Sequence, residues 1–387
     1  MSKIKNIIKS PTIEFLINLI GILIFLWLFL ISIKLLGGTF KHFFKEESVE
    51  LIKSATGNPL VSLFIGVIAT AIIQSSSSTT SIIIAFVASG VLSFNNAIPM
   101  IMGANIGTSI TGLIVSFGNV RNKVEFRRSF SAAIVHDFFN WLTVIIFLPL
   151  ELMFGILSKT ATFLTSMVTG TKGVGVKFDS PLDSIINPIS KCIEKSTSTL
   201  MGNPITEKGI PEYDATLLIV MIIISLSLLF LSLKYMSSIM KTMLLGKFEK
   251  IIHKFVFNNT ITSLIFGILF TISVQSSSIT ISIVVPLVGA GILTLEQIFP
   301  YAIGANIGTT ITGILAALVT GQACSISIAL VHTTFNIYGG AIFIPLKRIP
   351  IGTARWFSDR VYENRLWALG FIVTMYFIMP LMVILFS

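Results

Sequence analysis

Charge is what this sequence has least of: Asp, Glu, Lys and Arg make up 11% of it, against roughly a quarter in soluble domains. With 53% hydrophobic residues, that scarcity excludes an ordinary cytosolic enzyme, a disordered chain and a collagen. Only two cysteines are present, which excludes a disulfide scaffold and a cysteine-rich metal site. The net charge of +10 does not indicate a nucleic-acid partner, because the basic residues form short clusters between long apolar runs. This pattern is typical of a polytopic membrane protein.

Two stretches carry almost no ionisable residues. Residues 54–120 contain none, and residues 255–345 contain only Glu296 and His332. Each stretch is far longer than the ~20 residues that one helix needs to cross a bilayer. The sequence therefore predicts an all-α polytopic membrane protein with seven crossings and two hairpins, which puts the C-terminus outside.

The basic residues predict the orientation. Lys3, Lys5 and Lys9 precede an apolar run at 15–36 that is too long for a signal peptide, so we expect a first transmembrane helix with its N-terminus in the cytoplasm. Basic clusters at 121–128, 234–254 and 347–365 predict cytoplasmic loops, and the polar stretch 171–214 is expected outside. The expected location is the plasma membrane or a bacterial inner membrane.

The chain contains an internal repeat. Gln74-Ser75-Ser76-Ser77 recurs as Gln275-Ser276-Ser277-Ser278, and Gly-Ala-Asn-Ile-Gly-Thr at 103–108 recurs at 304–309. Further on, His136 and Asn140 recur as His332 and Asn336 with the same spacing. Such long and ordered self-similarity indicates two homologous halves.

The two halves are expected to have opposite topology. The first half has its basic loop, 121–128, between its last two helices, whereas the matching segment of the second half, 320–325, is uncharged. If loops rich in Lys and Arg stay inside, the halves are inverted relative to each other. Inverted repeats with a site at their interface are typical of transporters.

Several segments are too short to cross. Residues 60–73 and 82–92, with their counterparts 261–274 and 283–293, predict two re-entrant hairpins whose tips are the Gln-Ser-Ser-Ser sequences. The Gly-Ala-Asn-Ile-Gly-Thr sequences are expected to interrupt one transmembrane helix in each half, within 97–117 and 301–318. The predicted organisation is an N-terminal repeat (1–157), an external segment (158–214), an inverted repeat (215–346), and an interfacial and last transmembrane helix (347–387).

Four polar breaks facing one centre would form a chamber rich in amide and hydroxyl groups and free of Lys and Arg. Helix N-termini suit an anion, and Gln, Asn, Ser and Thr oxygens suit Na⁺. A multiply charged anion needs countercharge in a dry site, which mobile Na⁺ can supply. The sequence thus predicts sodium-coupled transport of a small oxyanion.

The repeated motifs, together with Val-His-Asp-Phe-Phe-Asn-Trp-Leu at 135–142 and the run 330–350, resemble the type II sodium-dependent phosphate cotransporter family. The resemblance covers about 56–155 and 215–370. It implies sodium-driven symport of inorganic phosphate, with both tips at the centre, Na⁺ as the coupling ion and no organic cofactor. The external segment departs from the vertebrate members: it is short and holds only Cys192, and a bond to Cys324 stays open.

The candidate ligands follow from these motifs and the resemblance. Phosphate is expected to contact the two tips: Gln74, Ser75, Ser76, Ser77, Gln275, Ser276, Ser277 and Ser278. Sodium is expected to use oxygens of the tips and of the second motif: Gln74, Asn105, Thr108, Gln275, Asn306, Thr309, Thr310 and Thr312. A small-residue packing face is the alternative for the second motif. His136 and His332 are interpreted as packing residues, and Asp137 as a partner of Arg127 or Arg128.

Other functions are weighed against symport. A sodium-coupled carrier of another oxyanion or a dicarboxylate would use similar hairpins. An intramembrane serine hydrolase is disfavoured because G-x-S-x-G is absent from the sequence, and a channel would need an open path. The expected partners are phosphate, sodium and membrane lipid, not nucleic acid. The sequence leaves open a monomer or a homodimer, and the transport stoichiometry.

Overall fold

The computed structural model describes residues 11–170, 176–178, 180–206, 211–251 and 259–387, with position 11 and 244–251 described by their backbone. The described part is helical apart from turns and two isolated bridges. Lys3, Lys5, Lys9 and Lys254 lie outside the described side chains. The first half and the external segment contain α1 (Pro11–Phe43), α2 (Glu46–Ala55), α3 (Pro59–Ile73), α4 (Ser76–Ser89), α5 (Phe94–Gly107), α6 (Ser109–Ser116), α7 (Lys123–Phe154), α8 (Ile156–Thr169) and α9 (Asp183–Leu200). The rest contains α10 (Ala215–Ile251), α11 (Thr260–Val274), α12 (Ser277–Gly289), α13 (Leu295–Thr320), α14 (Ala323–Phe343), α15 (Arg348–Glu363) and α16 (Leu366–Phe386).

Seven of the described helical segments are long and apolar enough to cross a membrane: α1, the α5–α6 segment, α7, α10, α13, α14 and α16. The count becomes eight if α2 and α3, which meet at 98°, are taken as one span. The prediction of an all-α, multi-pass membrane protein is confirmed. The helices α4, α11 and α12 are apolar but shorter, and α3 and α4 meet at Gln74 and Ser75.

Helix starts are capped alike in both halves. Asn58 caps α3 by accepting from the Leu60 N–H at 2.9 Å, and Asn259 caps α11 by accepting from the Thr262 N–H at 2.8 Å. Such caps satisfy backbone donors that the helix itself leaves unpaired. The repeat therefore includes the N-cap residues of these helices as well as the motifs.

Glycines bring two pairs of helices into backbone contact. A Cβ at Gly66 would overlap the Met100 carbonyl oxygen, and one at Gly103 would overlap that of Leu63, so α3 and α5 leave no room between them. The second half repeats this crossing of α11 and α13 at Gly267 and Gly304. Small residues permit such close approach, and in a membrane the resulting packing is a main source of helix association.

The expectation that Gly-Ala-Asn-Ile-Gly-Thr breaks a helix in each half is wrong for the second half. There α13 runs without interruption from Leu295 to Thr320. In the first half the only irregularity is at Thr108, between α5 and α6, and its φ and ψ of −61° and −32° are still helical. The glycines serve close packing instead, and a buried helix keeps its internal hydrogen bonds because the surroundings offer no others.

The helices α3 and α5 also run parallel and begin side by side. Gly103 lies against Leu63 and Gly107 against Val67, and near the start of both helices the Ser62 hydroxyl donates to the Asn96 carbonyl at 2.6 Å. Because α4 connects them, it must return the chain to the level at which α3 began. Consequently α3 and α4 form a hairpin whose turn is Gln74 and Ser75.

The two halves meet along α1 and α10, which run antiparallel. A Cβ added at Gly21 would lie 3.2 Å from the Ile239 side chain, so the two helices are close at this point. The Phe25 and Tyr235 rings stack with their centroids 5.4 Å apart. In the second half of α1, the Lys34 ammonium binds the Asp183 carboxylate at 2.7 Å, which attaches α9 to this pair.

The charged residues of α7 and α15 form a surface layer. Lys123, Arg127 and Arg128, predicted in a loop, lie in the first turns of α7, where Arg127 pairs with Asp359 of α15. The predicted pairing of Asp137 with Arg127 or Arg128 is wrong. Asp137 lies ~15 Å further along α7, where it is buried and accepts a hydrogen bond from the Tyr376 hydroxyl at 2.5 Å.

The predicted external segment is more structured than a loop. Its first part is α8, whose Thr165 hydroxyl lies 2.8 Å from that of Ser327 on α14. Cys192 on α9 is exposed, and Cys324 is half-buried at the start of α14. Both are free thiols, so the open possibility of a bond between them is not realised.

The glycine crossing predicts a specific loss of stability. Gly103→Ala places a methyl group on the Leu63 carbonyl of α3, and overpacking of this kind costs about 1–3 kcal/mol or more. We expect a lower melting temperature in detergent than for Gly352→Ala, since a Cβ at Gly352 of α15 meets nothing within 4 Å. Equal melting temperatures for the two variants would contradict the backbone contact.

Candidate functional site

In each half, a glutamine in the left-handed region separates two short helices. Gln74 has φ 57° and Gln275 has φ 58°, and among the described residues they are the only non-glycine positions with positive φ. Each N–H closes the preceding helix, on the Thr70 and Thr271 carbonyls, at 2.7 Å. Such a conformation costs of order 1–3 kcal/mol and concentrates at functional sites. Its repetition at the same motif position marks both tips as candidates.

Both tips end in a helix N-terminus. Ser75 caps α4 by accepting from the Ser78 N–H at 3.2 Å, and Ser276 caps α12 by accepting from the Ile279 N–H at 3.3 Å. The first N–H groups of a helix have no partner inside it, and they carry a partial positive charge. Each tip therefore offers hydroxyl donors and a helix end suited to an anion.

The two tips meet and share one cavity. The Ser77 hydroxyl donates to the Gln275 carbonyl at 3.2 Å across the halves. Beside this contact lies a cavity of about 480 Å³. Six of the eight predicted phosphate ligands line it: Gln74, Ser75, Ser77, Gln275, Ser276 and Ser278. Ser76 and Ser277 are buried at the first position of α4 and α12, outside that lining.

Lysines also line this cavity, so the prediction of a chamber without Lys or Arg is wrong. Lys234 and Lys241 of α10 lie on its wall, together with the tips. Their charge favoured a cytoplasmic loop, but α10 continues through them to Ile251 and carries them past the hairpins. A sequence signal for Lys234 exists: the run from Ile31 to Lys34 has a counterpart in the run from Leu231 to Lys234.

The two tips differ in their side-chain contacts. In the second half, the Thr312 hydroxyl donates to Gln275 Oε1 at 2.6 Å, and the Gln275 amide donates to the Ile272 carbonyl at 2.7 Å. In the first half, Gln74 is exposed in the cavity, and the buried hydroxyl of Thr111, the counterpart of Thr312, has no partner among the described residues. The glutamine of the second tip is therefore held by a threonine hydroxyl, whereas the glutamine of the first tip has no such bond among the described residues.

Behind the tips, amide and imidazole groups join the halves. His136 Nε2 lies 2.7 Å from Asn306 Oδ1, and His332 Nε2 lies 3.3 Å from Asn105 Oδ1, so each histidine contacts the asparagine of the other half. Asn140 Oδ1 accepts from both asparagines, at 3.0 Å from Asn105 and 2.8 Å from Asn306. The buried members are Asn105, His136, Asn140, Asn306, His332 and Asn336.

This cross-half network accounts for the two predicted sodium ligands Asn105 and Asn306. Their side-chain oxygens are engaged with histidines, and their amide groups with Asn140. His136 and His332, interpreted from the sequence as packing residues, are buried and contact these asparagines through hydrogen-bonding distances. Among the described residues, no group of three His, Cys, Asp or Glu could hold a metal.

The predicted threonine ligands follow Asn105 and Asn306 in the chain. Thr108 and Thr309 both donate back along their own helix at 3.0 Å, to Ala104 and Ala305, and Thr310 donates to Ile307 at 2.7 Å. All three are buried. Of the four predicted threonine ligands, only Thr312 is hydrogen-bonded to a tip, through the Gln275 side chain.

Comparison with known proteins identifies relatives. The family model described as Na⁺/Pi-cotransporter matches residues 28–170 and 228–353. Sodium-dependent phosphate transport protein 2A of Ovis aries is 31% identical over 427 residues, covering 93% of this chain and 66% of that protein. Sodium-dependent phosphate transport protein 2B of Homo sapiens is 31% identical over 455 residues, covering 95% of this chain and 64% of that protein.

The chain spans about two thirds of the length of these curated relatives. No solved structure matches it. The matched regions contain both tips, α3 to α8 and most of the second half, so the similarity includes every residue that lines the shared cavity.

The cross-half network predicts that Asn140 holds the halves together. Asn140→Leu removes the acceptor of both asparagines and leaves their buried amide groups and Ser109 without this partner, at about 1–3 kcal/mol for each unsatisfied group. We expect a clear drop in melting temperature in detergent. Asn95→Leu, at an exposed position of α5, is the matched control. Equal melting curves for the two variants would show that the network contributes little.

Proposed function

The chain belongs to the Na⁺/Pi-cotransporter family, and from that premise we propose that it is a sodium-coupled symporter of inorganic phosphate. The observation that carries the proposal is the single cavity shared by both Gln-Ser-Ser-Ser tips. Relatives named for sodium-dependent phosphate transport support the choice of both ions.

Phosphate binds between the two tips in this proposal. The N-termini of α4 and α12 supply unpaired N–H groups, and the serines of both tips supply hydroxyl donors. Ser75, Ser77, Ser276 and Ser278 line the cavity directly. Ser76 and Ser277 contribute through the backbone at the first turn of each helix, where their side chains are buried.

Sodium binds beside the tips in this proposal, among the side-chain oxygens of the predicted ligands. Gln275 Oε1 and the Thr312 hydroxyl already lie within 2.6 Å of each other, and such neutral oxygens are ligands that hard cations accept. In the first half, the Gln74 side chain is exposed in the cavity and is available to bind the ion. The remaining predicted ligands, Asn105, Thr108, Asn306, Thr309 and Thr310, would exchange a present hydrogen bond for the ion.

Transport proceeds by alternating access of two inverted repeats, 1–157 and 215–346. The antiparallel pairing of α1 and α10, which occupy equivalent places in the two halves, supports opposite topology. The return of α4 beside the start of α3 supports a hairpin that enters and leaves on one side. The unequal fastening of the tips, with Thr312 on Gln275 and Gln74 exposed, supports a state open to one face.

Charge indicates which face is open. Lys241 lines the cavity, and it belongs to the basic cluster that the positive-inside rule assigns to the cytoplasm. We therefore interpret this conformation as inward-facing, in a plasma or inner membrane with the N-terminus inside. A monomer suffices for this scheme, because both tips come from one chain.

A carrier of another small oxyanion or a dicarboxylate is the alternative. The experiment is uptake of labelled phosphate into proteoliposomes under inward Na⁺ or K⁺ gradients, with sulfate, arsenate and succinate as competitors. Uptake that requires Na⁺ and exceeds the equilibrium level establishes coupled symport. Sealed vesicles with folded protein and no uptake would refute phosphate as the substrate, and uptake of a competitor instead would identify the alternative.

The link between Thr312 and Gln275 predicts a sodium effect. Thr312→Val keeps the side-chain volume and removes the hydroxyl that contacts Gln275 Oε1. We expect the sodium concentration for half-maximal uptake to rise about tenfold, corresponding to about 1.4 kcal/mol, with a smaller change in the phosphate KM at saturating sodium. Thr353→Val, on exposed α15, is the control. An unchanged sodium dependence would exclude Thr312 as a ligand.

A further inference from the structure

The repeat extends to the helices that join the halves, and it relates two lysines. Ile-Ser-Ile-Lys in the second half of α1, finishing at Lys34, corresponds to Leu-Ser-Leu-Lys in α10, finishing at Lys234. The serines make the same local bond: Ser32 donates to the Phe29 carbonyl at 2.6 Å, and Ser232 to the Leu229 carbonyl at 3.0 Å. Lys34 and Lys234 therefore occupy equivalent positions on equivalent helices.

The contact between α1 and α10 has the register of a twofold axis. In this alignment Tyr235 is the counterpart of position 35 and Ile239 that of position 39. Phe25 stacks on Tyr235 and Gly21 lies against Ile239, so position 25 of one helix meets position 35 of the other, and position 21 meets position 39. Both pairs are symmetric about position 30. Lys34 and Lys234 thus lie ~6 Å along the helix from the axis, toward opposite faces of the protein.

The two lysines have different surroundings. The Lys34 ammonium binds Asp183 Oδ1 at 2.7 Å and the Val319 carbonyl at 3.2 Å, and 27% of its side chain is exposed. These bonds attach α1 to α9 and to the last turn of α13. Lys234 is exposed on the wall of the cavity that holds both tips, and no carboxylate pairs with it among the described side chains. Tyr235 is its nearby aromatic ring, at 5.9 Å.

We propose that Lys34 and Lys234 are equivalent anion-positioning residues that serve the two faces of the protein in turn. In the conformation described here, Lys234 faces the open cavity and attracts the anion on this route. Lys34 is held by Asp183 on the closed side. When that side opens, Asp183 releases Lys34, which then faces the tips as Lys234 does now. The inference rests on the proposed function, because it assigns the two residues to the route of the proposed phosphate.

The equivalent positions of Lys34 and Lys234 distinguish anion positioning from two simpler roles, membrane orientation and attachment of α9. A lysine that serves only to orient the chain in the membrane has no reason to line a cavity with both tips. Equally, a lysine that only fastens α9 needs no counterpart at the equivalent position of α10. The pairing of a released lysine on the open side with a bound lysine on the closed side is what alternating use of equivalent residues requires.

The test measures the phosphate KM separately from each face of oriented proteoliposomes, with wild type, Lys34→Gln and Lys234→Gln. Loss of a charged hydrogen-bond donor to an anion is expected to raise KM about tenfold. Each variant should do so from one face only, and the affected faces should be opposite. Lys234→Arg should restore the KM. Lys53→Gln, an exposed lysine of α2, should leave both faces unchanged.

A second variant guards against a folding effect at Lys34. Lys34→Gln alone leaves the Asp183 carboxylate without this partner, so Lys34→Gln with Asp183→Asn should restore the melting temperature while the one-sided KM increase persists. Equal effects of Lys34→Gln and Lys234→Gln on both faces, or no effect from either, would overturn this inference while leaving symport intact. A wild type that transports no phosphate would overturn the proposed function, and this inference with it.

Discussion

The cross-half network is the interaction on which the rest of the arrangement depends. Six amide and imidazole side chains lie buried among apolar helices, where an unpaired polar group is costly. The bonds of His136 to Asn306 and of His332 to Asn105 form only when the halves are joined. The motif that looked like a helix break is instead where the two repeats recognise each other. Its glycines bring α5 and α13 against α3 and α11, and its asparagines bind the opposite half.

The cross-half network is shared by both halves, but the two tips differ in the bonds of their glutamines. Both glutamines hold the same strained backbone, yet Gln275 is fastened by Thr312, whereas Gln74 faces the cavity. A small change in such bonds is sufficient to favour one side of a two-state element. The cavity itself combines helix N-termini, hydroxyl groups and two ammonium groups, all of which favour an anion. In the proposed symport, sodium adds further positive charge beside the anion.

The membrane helices and the two tips were predictable from the sequence, because the apolar runs are long and the tip motif occurs twice. The membrane helices follow from long apolar runs separated by short charged clusters, and the tips follow from serine clusters between short apolar segments. The continuity of α13 was not predictable, because glycines at a spacing of four fit a break and a close crossing equally well. The position of Lys234 depends on how far α10 continues past the hairpins, and the partner of Asp137 is a tyrosine far away in the sequence. Each of these requires knowing which helices are neighbours, and local pattern does not contain that information.

An experimental structure of the protein with sodium and phosphate, or with arsenate as a heavier substitute, would locate the anion. We expect it between the tips, within hydrogen-bonding distance of serines of both α4 and α12. A second cavity of about 400 Å³ is lined by Arg127 and Arg128 of α7 and by Arg355 of α15, and its arginines could also bind an anion. Density there, with none between the tips, would contradict the claim that the two hairpins form the substrate site.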